Sequence, residues 1–274
     1  MPHQRPSKKT YSSDSRVKKY FKQPKPKDEK EKTSSPTEVR LNRYIANAGI
    51  CSRREADQLI ADGKVMVNGK VVTELGMKVK KSDKVVYQGK TLSPEKPVYV
   101  ILNKPKDFIT TVDDPKNRKT VMRLVQKACE ERIYPVGRLD RMTTGLLLFT
   151  NDGELAKRLL HPSHNIRKIY QVELDRPITT QDFENILTGI KLEDGMVPVD
   201  QLAIIENDNK KLGIEIHIGR NRIIRRLFEH LGYKVVKLDR VVFGGLTKKD
   251  LPRGTFRHLS PREVQNLKNM VRIA

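Results

Sequence analysis

Residues 137–160 read GRLDRMTTGLLLFTNDGELAKRLL. Leu146, Leu147, Leu148 and Phe149 follow one another with no polar residue between them. A strand of that kind is covered on both faces, so it belongs inside a sheet rather than at its edge. Asn151, Asp152 and Gly153 close it, and Asp152 stands where an N-cap would open a helix over GELAKRLL. Upstream, Asp140 lies between Arg138 and Arg141, in a predicted loop before this strand. Opposite charges stabilise a carboxylate anion, and an ionised carboxylate in a basic cleft can act as nucleophile or base. Spacing alone favours the plainer reading of Asp140, a loop residue held in salt bridges.

Further out, IRKIYQVELD (166–175) alternates, with Tyr170, Val172 and Leu174 on one parity. That pattern predicts a strand with Tyr170 on its core face. Ile214, Ile216 and Ile218 predict another strand, followed by Arg220, Arg222, Arg225 and Arg226. Ile223, Ile224 and Leu227 fall at helical spacing, so a helix should begin near Asn221. Arginines at a helix start oppose its dipole unless an anion sits there, and a phosphate or a carboxylate would fit. His217 faces the polar side of its strand and reads as surface or RNA-facing. VYVILNKP (98–105) is an apolar strand ending at Asn103 and Lys104. Strands and helices alternate irregularly, without a repeated strand-helix unit or a glycine-rich nucleotide fingerprint. The expectation is an α+β chain with a mixed, largely antiparallel sheet and flanking helices.

The chain of 274 residues carries 55 Lys and Arg against 33 Asp and Glu, a formal charge of +22. Such an excess implies a polyanionic partner, with nucleic acid first and an anionic membrane second. No stretch approaches the roughly 18 apolar residues of a membrane span, and the polar N-terminus predicts no secretory signal. Cys51 and Cys129 are far apart and in no paired motif, and His161 and His164 lack acidic or cysteine companions. A disulfide scaffold and a metal site are therefore not expected, and a reducing cytoplasmic setting fits. Residues 1–37 hold eleven Lys or Arg, four Asp or Glu and only five large apolar residues. They are expected to be a disordered basic arm, with non-specific RNA affinity. Order should begin at residue 38. Leu41, Tyr44, Ile45 and Ala48 predict one short helix. Ser52 and Glu55 predict a capping box opening a second, and Asn68-Gly69 predicts a tight hairpin. Arg40, Arg43, Arg53, Arg54 and Lys64 cluster around the two helices and read as a phosphate-contacting surface. Residues 91–97 read as a linker, so the expected division is arm 1–37, first domain 38–90, linker, and second domain 98–274.

Residues 38–90 resemble the S4 RNA-binding domain, on RLNRYI (40–45), Gly49, SRREA (52–56), Leu59, Ile60, Gly63, Val65 and VNG (67–69). The resemblance implies binding to structured RNA. The second domain resembles the pseudouridine synthases of the RsuA and RluB type. The matching pieces are ILNKPKDFITTVDDP (101–115), YPVGRLDRMTTGLLLFTNDGELAKRLLHPS (134–163), RKIYQVELD (167–175) and GRNRIIRRLFEHLGYKVVKLDRV (219–241). It is most similar to the RluB branch, which modifies large-subunit ribosomal RNA. The resemblance implies that Asp140 is the catalytic aspartate and that Tyr170 stacks on the target base and assists proton removal. It implies that Arg225 pairs with Asp140, and that Arg138 opens the duplex or holds the flipped nucleotide. Asn103, Lys104, Arg220 and Arg222 are expected to contact RNA. Three residues depart from the family pattern: Met142 stands where an acidic residue is usual, Asp107 where a glycine is, and Ile223 where Gln or Glu is.

The reaction so implied breaks the uracil N1 to ribose C1′ bond and rejoins the ring through C5. It needs no redox step, so neither cofactor nor metal is expected. Asp140 could attack C1′, attack C6 or remove the 2′ proton to give a glycal, and the resemblance favours the last. The partner expected is ribosomal RNA or a pre-ribosomal particle, without a membrane, for a monomeric protein. A non-catalytic RNA-binding or ribosome-assembly protein on the same scaffold is the alternative, as is the same chemistry on small-subunit or transfer RNA.

Overall fold

The computed structural model describes residues 38–273, so the basic arm expected over 1–37 lies outside the described residues. The first region is built on helices α1 (Leu41–Asn47) and α2 (Arg53–Ala61). Ser52 caps α2 as its sequence predicts: its hydroxyl accepts from the Glu55 N–H, and the Glu55 carboxylate accepts from the Ser52 N–H at 2.7 Å. Strands Val65–Val67 and Lys70–Val72 form the hairpin, with Asn68 and Gly69 both at positive φ. Leu41, Ile45, Ala56, Ile60, Val65 and Val85 close a small core between helices and sheet.

The second region is α+β and is organised by a sheet that comprises nine strands among the described residues. Seven form its main path: β1 (Tyr99–Lys104), β2 (Thr144–Thr150), β3 (Lys168–Leu174), β4 (Gln201–Ile205), β5 (Asp208–Ile216), β6 (Val235–Phe243) and β7 (Phe256–His258). Their order is β4-β5-β3-β6-β2-β1-β7. All pairings are antiparallel except β6 with β2, which run parallel and match only Asp239 with Thr144 and Arg240 with Gly145. Every residue of β2 is buried, as its unbroken apolar run requires. Leu147 and Phe149 face one core with Tyr170, Val172 and Ile214, whereas Leu146 and Leu148 face a second with Leu155, Leu159 and Leu267.

Gly145 makes the parallel pairing possible. Its φ is +103°, and a Cβ there would overlap the backbone carbonyl oxygen of Arg240. Beyond this point the two strands separate, and the Arg240 Nε donates to the Leu146 carbonyl at 2.7 Å. A side chain thus supplies the donor that a neighbouring backbone would otherwise give.

Helix α3 (Gly153–Leu160) follows β2, and the Asp152 carboxylate accepts from the Glu154 and Leu155 N–H groups at its start. Helix α4 (Ile223–His230) follows β5. The two regions meet at the linker. The Glu95 N–H donates to the Asn47 carbonyl, and its carboxylate accepts from the Arg132 N–H and the Asn151 side chain. Arg132 donates to the Cys51 carbonyl, and Arg43 of α1 pairs with Glu154 of α3 at 3.2 Å. No helix among the described residues is long and apolar enough to cross a membrane.

Candidate active site

The segment before β2 is fixed on three sides. Thr110 clasps Leu139, accepting from its N–H at 3.2 Å and donating to its carbonyl at 2.7 Å. Residues 140–143 then turn, with the Thr143 N–H donating to the Asp140 carbonyl at 3.0 Å. Beneath the turn lies Lys104, fully buried. Its Nζ reaches the carbonyls of Thr143 (2.8 Å), Asp140 (3.1 Å), Arg141 (3.2 Å) and Pro105 (3.2 Å). An ammonium has three protons, so at least one is shared between two acceptors. Burial pulls this lysine down to about 8, and the nearby Asp140 charge works against that pull.

The Asp140 carboxylate is about one-third exposed, at 35 %. Its Oδ2 lies 3.7 Å from the Arg222 Nη1, an ion pair too long to be a hydrogen bond. Arg222 is the N-cap of α4 and sits in the left-handed region at φ +46°. Its other Nη lies 3.4 Å from Glu229, two turns further along the helix. The anions that arginines at this helix start call for are carboxylates: Asp140 beside Arg222, and Asp194 beside Arg220 and Arg226.

Arg225 does not make the ion pair with Asp140 that the sequence led us to expect. It points inward: its Nη1 donates to the Val235 carbonyl at 2.9 Å, and its Nε is buried without a partner. Burial weakens its hold on its proton, Arg222 adds to this, and Asp140 opposes it. Asp140 thus acts on Arg225 through space, while the contact belongs to Arg222. Asn103 and Lys104 also need correction, because both are buried with their polar atoms spent on groups of the chain itself, so neither is placed to bind phosphates. The Asn103 side chain donates to the Leu251 carbonyl and accepts from Arg253. Arg253 in turn pairs with Asp239, whose carboxylate also accepts from Thr144 and Lys248. Burial pushes the Asp239 carboxyl up, but these donors together outweigh it and hold it at about 2. The ends of β1, β2 and β6 are locked together just behind the turn.

Tyr170 is buried on β3, opposite Ile214 and Arg240, in the same apolar cluster as Leu139, Ile223 and Ile224. The cluster therefore joins the strand of Tyr170, the loop of Asp140 and the helix of Arg225. Ile223 fills this core, which gives one departure from the family pattern a packing role. Arg138 is exposed and makes no ion pair among the described residues. Arg141 pairs with Asp107, whose N–H donates back to the Arg141 carbonyl at 2.9 Å. Asp107 has φ +71°, a conformation suited to glycine that aspartate tolerates. The second departure thus adds an ion pair beside the turn.

Arg220 is engaged by Asp194 at 3.6 Å, which also binds Arg226 at 2.7 Å. In the first region Arg40, Arg53, Arg54 and Lys64 are exposed, although Lys64 pairs with Asp62. Arg43 is committed to Glu154. His217 pairs with Asp200 at 2.8 Å. No group of three or more His, Cys, Asp or Glu among the described residues could hold a metal. A cleft of about 490 Å³ opens among Thr144, Gln171, Glu173, Lys237, Asp239 and Arg253, and Asp140 does not line it. The Asp140 side chain is itself partly open to solvent.

Residues 98–230 match the RNA pseudouridylate synthase family, and residues 39–85 match the S4 domain. Over 233 residues the chain is 43% identical to the ribosomal large subunit pseudouridine synthase B of Bacillus subtilis (strain 168), covering 84% of this chain and 95% of that one. An uncharacterized RNA pseudouridine synthase of Aquifex aeolicus (strain VF5) is 40% identical, covering 84% and 94%. A crystal structure of a pseudouridylate synthase superposes with a TM-score of 0.60 at 29% identity, covering 84% of this chain and 99% of that one.

Proposed function

The chain belongs to the RNA pseudouridylate synthase family, and from this premise we propose that it isomerises a uridine of large-subunit ribosomal RNA with Asp140 as the acting carboxylate. Isomerisation of uridine in RNA goes with the family, and the S4 domain supplies RNA binding. The ribosomal target is supported by relatives in Bacillus subtilis and in Vibrio cholerae, both named as large-subunit synthases. One observation carries the role of Asp140. Its backbone is pinned by the Lys104 staple, yet its carboxylate makes no hydrogen bond among the described residues and faces one cation. A fixed but uncommitted carboxylate is what a nucleophile or base must be.

The target uridine must leave its stack, which costs a few kcal/mol. Tyr170 stacks on the extracted base, regaining roughly 1–3 kcal/mol, and assists removal of the C5 proton. Arg138 holds the flipped nucleotide. Arg222 is in contact with Asp140 and Arg225 lies behind it, so together they keep positive charge around the carboxylate. Asp140 then acts on the ribose or ring by attack on C1′, attack on C6 or removal of the 2′ proton. In each route uracil turns within the site and reattaches through C5. The exposed Arg40, Arg53, Arg54 and Lys64 hold phosphates elsewhere on the RNA, a contribution that weakens with salt.

Isolated ribosomal RNA incubated with wild type and Asp140→Asn tests this. Turnover should fall by about 10⁴-fold, the upper range for a lost acid-base group, with RNA binding retained. A wild type that forms no pseudouridine in any RNA would support the non-catalytic alternative. Pseudouridine confined to small-subunit or transfer RNA would move the target.

A further inference from the structure

We propose that Met142 is a base-contacting residue: its side chain packs against a nucleobase neighbouring the target uridine and keeps the RNA strand open. This rests on the reading of Asp140 as the acting group. Met142 is the third residue of the turn at 140–143 and is 51% exposed. The carbonyls on either side of it, of Arg141 and Thr143, are both held by Lys104, so the position is rigid. Its neighbours in the turn are engaged otherwise. Arg141 is bound to Asp107, Thr143 is buried, and Asp140 carries the carboxylate. Met142 is the apolar side chain left facing solvent, two residues from the reacting group.

A single exposed apolar residue is ordinary on a protein surface. Here a second is carried by the loop that clasps Leu139, the residue before Asp140. Val112 is 46% exposed, on the segment whose Thr110 clasps Leu139. Exposed Arg138 and Arg222 lie on the segments nearby, so apolar groups sit among cations suited to a phosphate backbone. Apolar wedges between bases are a general means of holding an unstacked strand. A methionine thioether also adapts to aromatic faces. Because the turn is already rigid, seating this side chain costs little additional ordering. An acidic residue, usual at this position in the family, has no apolar surface to lay on a base, so the contact made by Met142 is particular to this chain.

The test is methionine oxidation by peroxide, read by mass spectrometry with and without isolated ribosomal RNA. The Asp140→Asn chain is used so that bound RNA stays unreacted. Met270, 46% exposed on the C-terminal helix, serves as the reference. RNA should slow oxidation of Met142 by roughly fivefold, as expected when exposure is lost, and leave Met270 unchanged. Equal rates at Met142 with and without bound RNA overturn the proposal, and so does equal slowing at both sites. In the otherwise wild-type chain, Met142→Leu should retain turnover, while Met142→Ala should lower kcat/KM by about tenfold, the value of one lost apolar contact. Met142→Asp should lower it further at unchanged melting temperature, and wild-type kcat/KM in Met142→Asp overturns the proposal. Protection is read without turnover, so failure of the wild type to make pseudouridine would count against the function and leave the oxidation result standing.

Discussion

The two segments that meet at Asp140 are held in opposite ways. The turn at 140–143 is fastened from inside, by one buried lysine bound to backbone carbonyls. Its side chains are free to differ without moving its backbone. The segment at 220–226 is held through side chains: Arg220 and Arg226 on Asp194, Arg222 on Asp140 and Glu229, Arg225 on the Val235 carbonyl. Changing those residues changes the segment itself. The carboxylate is therefore fixed in place, whereas the charge around it is adjustable. That suits a reaction in which one oxygen must be placed and a long polyanion must be accommodated.

The comparison can be broken most severely where the turn joins its strand. Gly145→Ala should cost roughly 4 kcal/mol in a denaturant titration, because positive φ and backbone overlap are penalised together. A loss under half of that would mean that the parallel pairing tolerates side chains and does not fix the turn. Lys104→Met should cost about 3 kcal/mol by leaving buried carbonyls without a donor, and it should lower kcat more than KM changes. It should also alter the dependence of stability on pH. Lys104 and Lys168 are both drawn down to about 8 by burial, from an ordinary value of 10.5. Below pH 8 each is protonated whether folded or unfolded, and the cost of the buried charge is fully present. Between pH 8 and 10.5 the unfolded chain binds more protons, so stability rises with pH. Lys104→Met should remove part of that rise, with Lys168 supplying the remainder; an unchanged slope would show that Lys104 keeps its proton throughout.

The arginines sharpen the comparison. Arg225→Gln should lose about 2 kcal/mol of stability along with activity, as a buried donor is removed. Arg222→Gln should leave the melting temperature nearly unchanged and reduce kcat/KM by about tenfold, the scale of one long, half-exposed ion pair. A destabilised Arg222→Gln would merge the two roles. The smallest effect belongs to Asp107→Gly, within about 0.5 kcal/mol, since an exposed ion pair is exchanged for an easier backbone conformation.

Much of this was legible beforehand. An apolar run identified β2 as an interior strand, Asp152 announced α3, and Ser52 with Glu55 announced α2, because these signals are local. Lys104 was legible but misread. It shares the parity of Val100 and Leu102, which face the core, and its charge suggested RNA where its position meant burial. The partner of Asp140 was not legible, since Arg222 and Arg225 are three residues apart and only the left-handed start of α4 decides which of them turns toward the loop. The Asp107–Arg141 pair was hidden for the same reason: two loops distant in sequence are brought together only by the pairing of β1 with β2.

One further consequence follows from β2. Its seven residues span roughly 20 Å at strand rise, and every one is buried. The turn with Asp140 leads into one end. Just past the other stands Asn151, whose side chain grips Glu95 where the S4 region is fastened. The strand is thus a ruler within the protein. While that joint holds, the reach from the RNA-holding helices to the reacting carboxylate is set by the length of one inextensible segment. If Asp140 acts as proposed, the uridine chosen is the one that lies at this distance from the feature that the S4 region grasps.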